Sequence, residues 1–122
     1  MARVMEMDDR TTLSAQMEQE AGPVVLINKF TVAPEDEEEF LKSWTAVSVV
    51  QKQQPGFISA QLHKGVGGSR LFVNYAVWES TTALKQAFNN PEFRAMTKDY
   101  PPNVVYSPHL FQKVAVPGIC VA

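Results

Sequence analysis

The sequence predicts an α+β fold: a ferredoxin-like β-α-β-β-α-β sandwich over residues 23–116, two copies of which join as a dimeric α+β barrel. Three observations predict it. The run Leu71-Phe72-Val73-Asn74-Tyr75-Ala76-Val77-Trp78 is aromatic and β-branched, and Gly67-Gly68 and Glu79-Ser80 punctuate its ends, as a central strand requires. One long helical period lies between two earlier strand-like runs, and a second helical region follows the central strand. Finally, helices cover only one face of such a sheet. The other face keeps Val25, Ile27, Leu71, Val73, Tyr75 and Val77, an apolar surface that calls for a partner, and two-fold symmetry is the usual answer.

Taken in order, residues 1–22 form a polar N-terminal arm, either a loose tail or a short helix from Leu13 to Glu20 ended by Gly22, and a segment able to dock on a partner subunit. Pro23 to Val32 reads as the first strand. Pro34 suits the first position of a helix reaching Gln53, because its missing N–H costs nothing there. Glu35 to Glu39 crowd the first turns, where carboxylates favour the positive end of the helix dipole, so this acidic run is a solvated helix start and not a metal site. Phe40, Trp44, Val47 and Gln51 follow helical spacing. Gln54-Pro55-Gly56 breaks the helix, and Phe57 to Lys64 is the second strand. Gly65-Val66-Gly67-Gly68-Ser69 is a hairpin connection without phosphate-loop spacing. Ser80 caps a helix carrying Ala83, Leu84, Ala87 and Phe88, and Asn90 caps another with Pro91 at its first position and Phe93 and Met96 turned inward. Val104 to Val116 is the last strand, with Pro108 marking an edge position or a bulge, and an apolar tail of residues 117–122 ends the chain.

Composition narrows the function. The chain has 122 residues, 45% of them hydrophobic, and a formal net charge of -2, with no basic footprint for nucleic acid. Cys120 is the single cysteine, which rules out an internal disulfide and suits a reducing compartment. No stretch reaches the ~20 apolar residues of a membrane span, and the N terminus carries no charged-then-apolar signal pattern, so a cytoplasmic protein is expected.

The fold expected makes the first and third strands central, parallel and adjacent. Asn28 and Asn74 then sit on neighbouring strands, and Trp78 lies further along Asn74's face. Each residue taken singly reads as core. Together, two amides and an indole project between sheet and helices, within a wall of Phe30, Phe40, Trp44, Phe72, Phe88, Phe93 and Met96. A mostly apolar pocket with a few aimed polar groups is the form of a small-molecule site, and amide and indole N–H groups are able to hold a developing oxyanion.

Ile27-Asn28-Lys29-Phe30-Thr31-Val32, Gln54-Pro55-Gly56-Phe57 and Val73-Asn74-Tyr75-Ala76-Val77-Trp78 resemble the antibiotic biosynthesis monooxygenase family, most of all its cofactor-independent anthrone oxygenases. The resemblance implies a monooxygenase that uses no cofactor and oxidises an anthrone- or quinol-like aromatic substrate to a quinone with O2. It implies that Asn28 and Asn74 hold and polarise the substrate's oxygen functions. It implies that Trp78 assists oxygen activation or protonates the peroxy group. The haem-degrading branch of the family requires a histidine at the position of Thr97, where threonine is no haem ligand. A non-catalytic dimeric small-molecule-binding protein is the other alternative. The proton acceptor is open among His63, Tyr75, Tyr106 and His109, and Arg94 is either a surface residue or a contact for an anionic group.

Overall fold

The computed structural model describes residues 2–122. Its strands are β1 (Arg3–Val4), β2 (Val24–Thr31), β3 (Phe57–Lys64), β4 (Leu71–Trp78) and β5 (Val105–Phe111). They form one sheet in the order β1-β5-β2-β4-β3. The helices are α1 (Leu13–Met17), α2 (Glu37–Lys52), α3 (Thr81–Phe88) and α4 (Pro91–Met96), with 3-10 turns at Pro34–Asp36 and Thr97–Asp99. The β-α-β-β-α-β order thus occupies β2 to β5, and the arm adds β1 and α1.

β2 and β4 are central and adjacent, but they run antiparallel, which corrects the parallel pairing expected above. The reason is directional. α2 carries the chain back so that β3 starts at the same end as β2. The tight connection after Lys64 then reverses the chain, and β4 slots between the two, antiparallel to both. The register places Asn28 opposite Asn74, with Phe30 opposite Phe72 and Leu26 opposite Ala76 on the same face.

β5 ends at Phe111, shorter than the run to Val116 that the sequence suggests, and residues 111–122 are exposed. Phe111 lies opposite Val25, next to the start of β2 at Val24, and the preceding Pro23 has no N–H to extend the ladder. Pro108 is accommodated by parity. The N–H of Leu110 and the carbonyl of Tyr106 both bond the N-terminal arm, so the position of Pro108's missing N–H faces away from β2 and costs no ladder bond.

Each helix start follows its local chemistry. The Ser80 hydroxyl accepts from the Ala83 N–H at 3.1 Å, and Asn90 Oδ1 accepts from the Glu92 N–H at 2.9 Å, with Pro91 in the first turn. α2 opens on Glu37, Glu38 and Glu39 and turns Phe40, Val47, Val50 and Gln51 inward. Gly56 stops the chain between α2 and β3 at φ +88°, and a Cβ there would sit 2.4 Å from that of Ala83, so both backbone and packing require glycine.

Between sheet and helices lie two apolar groups. One is aromatic: Phe40 packs its ring 4.9 Å from those of both Phe30 and Phe72 and 5.6 Å from Tyr100. The other surrounds Trp78, which is fully buried with Val24, Leu26, Ala76, Leu84 and Ala87 and meets Phe57 edge-on. On the opposite face of the sheet, Tyr75 and Leu71 are each 38% exposed. Among the described residues no helix is long and apolar enough to cross a membrane.

Candidate active site

Asn28 and Asn74 face each other across the two central strands, their Cβ atoms about 4.5–5.5 Å apart as for any directly opposed pair. Apolar neighbours flank them along both strands. Neither Oδ1 has a hydrogen-bond partner, and both atoms are buried. Buried polar atoms are normally satisfied, and leaving one bare costs about 1–3 kcal/mol. Among the described residues, the buried side-chain atoms without a partner are these two, the Trp78 indole nitrogen and His109 Nδ1. The sheet therefore carries two bare amides side by side.

Above them is a cavity of about 470 Å³, within the range of small-molecule sites. The sheet contributes Leu26, Asn28, Phe30, Asn74, Tyr106 and Pro108 to its wall. α2 contributes Trp44, Val47, Ser48 and Gln51; Phe88, Phe93, Arg94, Thr97 and Tyr100 close it from the second helical region, and Val4, Leu13, Ser14 and Met17 come from the arm. Arg94 is the one charged side chain among these, and it makes no ion pair among the described residues. Tyr100 is buried, which pushes its phenol well above the ordinary range, with Tyr106 adding to the effect, so this hydroxyl stays protonated.

The residues named from the sequence separate. Asn28, Asn74, Phe30, Trp44, Phe88 and Phe93 line the cavity; Phe40, Phe72, Met96 and Trp78 do not. Phe40 and Phe72 are consumed by the aromatic core, which the helical and strand periods alone do not distinguish from a pocket wall. Trp78 lies four residues along β4 from Asn74, about 13 Å at a strand's rise, and is fully buried with its indole N–H unpartnered. Of the groups considered as proton acceptor, Tyr106 reaches the cavity. Tyr75 and His63 project from the other face of the sheet, and His109 Nε2 lies 3.1 Å from Gln16 Nε2. Thr97 does reach the cavity wall, but its hydroxyl donates to the Arg94 carbonyl at 2.8 Å.

Gln51, Ser48 and Tyr100 are lining residues absent from the sequence-level set. Gln51 carried a signal, a polar residue on the apolar stripe of α2, and it is 5% exposed. Tyr100 stands in a proline-rich loop, where no periodicity indicates which way a side chain turns.

Fold and site together describe a small α+β domain with an internal cavity suited to a small molecule. The antibiotic biosynthesis monooxygenase family model matches residues 23–99, and the chain belongs to that family. SnoaB, a cofactor-independent oxygenase from Streptomyces nogalater, superimposes with a TM-score of 0.72 at 24% identity, over 80% of this chain and 99% of its own. A Shewanella loihica protein provisionally described as a monooxygenase aligns with a TM-score of 0.65 at 29% identity, over 78% and 97%. A conserved Methanosarcina mazei protein shares the fold at 14% identity and a TM-score of 0.68, over 76% and 94%. No curated protein matches the sequence.

Proposed function

We propose that this monooxygenase-family protein works without a cofactor, oxidising an anthrone- or quinol-like aromatic substrate to a quinone with O2. The observation that carries the reading is the pair of bare amides, Asn28 and Asn74, on the floor of an apolar cavity. Likeness in fold to a cofactor-independent oxygenase supports it.

For an anthrone the sum is substrate plus O2 giving quinone plus water. Loss of a proton from the central CH2 leaves an enolate, which reduces O2. Carbon and oxygen then join as a hydroperoxide, whose O–O bond breaks with loss of water to leave the second carbonyl. The chain's part is to make the enolate accessible. An amide N–H from Asn28 and one from Asn74, aimed at the oxygen where negative charge develops, bind the enolate more tightly than the ketone. Each ~1.36 kcal/mol of that preference lowers the substrate's effective pKa by about one unit. Phe30, Trp44, Phe88 and Phe93 give the flat rings their surface, and the apolar wall strengthens the amides' hold by excluding water. Arg94 offers a contact for an anionic substituent. Tyr106 and Tyr100 bring phenols to the wall, and Tyr100, which stays protonated, is suited to donate a hydrogen bond to the peroxy group.

The exclusion of Trp78 from the cavity wall favours a second reading, a dimeric small-molecule-binding protein. Turnover separates the two. Chelator-treated protein is incubated with dithranol or emodin anthrone in air while quinone absorbance and oxygen uptake are followed. Metal-independent turnover above background, lost in Asn74→Ala, is the expected result. A wild type that binds the quinone but matches the uncatalysed rate supports the binding protein, and a Soret shift on adding haemin would instead support haem degradation. We also propose that the chain works as a homodimer joined through the sheet face bearing Leu71 and Tyr75, because an apolar face left in water is costly.

A further inference from the structure

The N-terminal arm is built into the wall of the cavity. It lies outside the family-matched residues 23–99, and the comparison with SnoaB, which spans 99% of that protein, leaves about a fifth of this chain unmatched. Yet Val4, Leu13, Ser14 and Met17 all line the cavity, and Leu13 and Met17 also pack against the Trp78 group of the core.

The arm is fastened along the edge of β5. β1 pairs with Val105 and Tyr106, and the N–H groups of Arg3 and Met5 donate to the carbonyls of Val104 and Tyr106 at 3.1 and 2.9 Å. Further on, one side chain does what a strand would do. Gln16 Oε1 accepts from the Leu110 N–H at 2.9 Å, while its Nε2 donates to the Leu110 carbonyl at 3.0 Å. The Glu6 carboxylate accepts from the Leu13 N–H at 2.9 Å, and Thr12 caps α1. At the arm's far end the Ala21 carbonyl accepts from the Thr81 N–H at 2.8 Å. Several of these bonds are to backbone groups at the sheet edge, so α1 is held in one place at the cavity wall and not in a range of positions.

We infer that Leu13 and Met17 are specificity-determining residues that close one end of the site and set how many fused rings it takes. A residue held on a fastened helix ends a cavity sharply: a longer ring system meets it, and a shorter one leaves a gap. This rests on the aromatic-substrate reading above, so the test reads binding separately from turnover.

The experiment measures quenching of tryptophan fluorescence by a ladder of quinones of two, three and four fused rings, with Trp44 in the cavity wall as reporter. It uses the full chain and its Met17→Trp, Met17→Ala and Leu13→Ala variants. Met17→Trp should weaken three-ring binding about tenfold or more relative to the two-ring quinone, since a larger side chain overfills the end of the site. Met17→Ala and Leu13→Ala should move preference the other way, gaining the four-ring quinone. Because the two substitutions at one position shift selection in opposite directions, general loosening of the arm does not mimic the pattern. Unchanged relative affinities across all variants would overturn the inference, as would a wild type that binds none of the quinones. Ring-size selection that shifts as described, with no anthrone turnover in any variant, would uphold the inference and refute the oxygenase reading.

Discussion

Replacing Asn74 with leucine tests whether the bare amide is there for chemistry or for packing. Both side chains branch at Cγ, and leucine is the larger, so it fills the space the amide leaves. Asn74 is 6% exposed and its Oδ1 has no partner, so the substitution removes an unsatisfied acceptor without opening a large cavity. Such an atom costs about 1–3 kcal/mol, and leucine also suits a buried strand better. Asn74→Leu should therefore be more stable than wild type by about 1 kcal/mol or more, a rise in Tm of roughly 3 °C or more for a chain of this size. Turnover of the anthrone should fall about 10²–10³-fold, the usual loss for one oxyanion donor. Denaturant titration and oxygen uptake on the same preparation read both quantities. A variant destabilised by more than about 1 kcal/mol that still turns over at the wild-type rate would refute the reasoning, because the amide would then be a satisfied structural group. Asn28→Leu should behave alike, and the double variant should fall short of the sum in activity, because opposed neighbours share one oxyanion.

Tyr75→Asp puts a charge on the apolar sheet face away from the cavity, and light scattering should show a dimer in wild type and a monomer in the variant; a variant that stays dimeric places the interface elsewhere. Gly56→Ala should lower stability by more than about 1 kcal/mol, since it adds left-handed backbone strain and a Cβ 2.4 Å from Ala83, while the folded fraction keeps its ligand affinity. Tyr100→Phe should flatten the alkaline limb of the stability curve. The folded phenol titrates above the unfolded value near 10, so its contribution is whole below pH 10 and is lost as pH rises beyond it. Urea titrations from pH 8 to 11 that run parallel for variant and wild type would contradict this.

The pairing of Asn28 with Asn74 was legible because strand period and element order suffice for it: side chains alternate, the chain visits the two central strands in a known order, and an amide in an apolar run stands out. Capping at Ser80 and Asn90 was legible for the same reason, since a cap bonds within three residues of itself. These features depend on near neighbours in sequence. The direction of β4 depends on the summed turns of a helix and a hairpin, and both Phe30 and Phe40 pack in the same aromatic core, so which of the two also meets the cavity depends on how sheet and helix are set against each other. Trp78 shares the amides' face but lies too far along β4 to join them at the cavity. The arm is the clearest case. By itself the sequence determined which runs form the four main strands, the helix caps and the two amides, through local periodicity and hydrogen bonding. Only the tertiary structure decided that Gln16 bonds Leu110 and that Met17 completes the site, because Gln16 and Leu110 stand 94 positions apart and the residues that meet Met17 at the cavity come from elements scattered along the chain, where no periodicity records them.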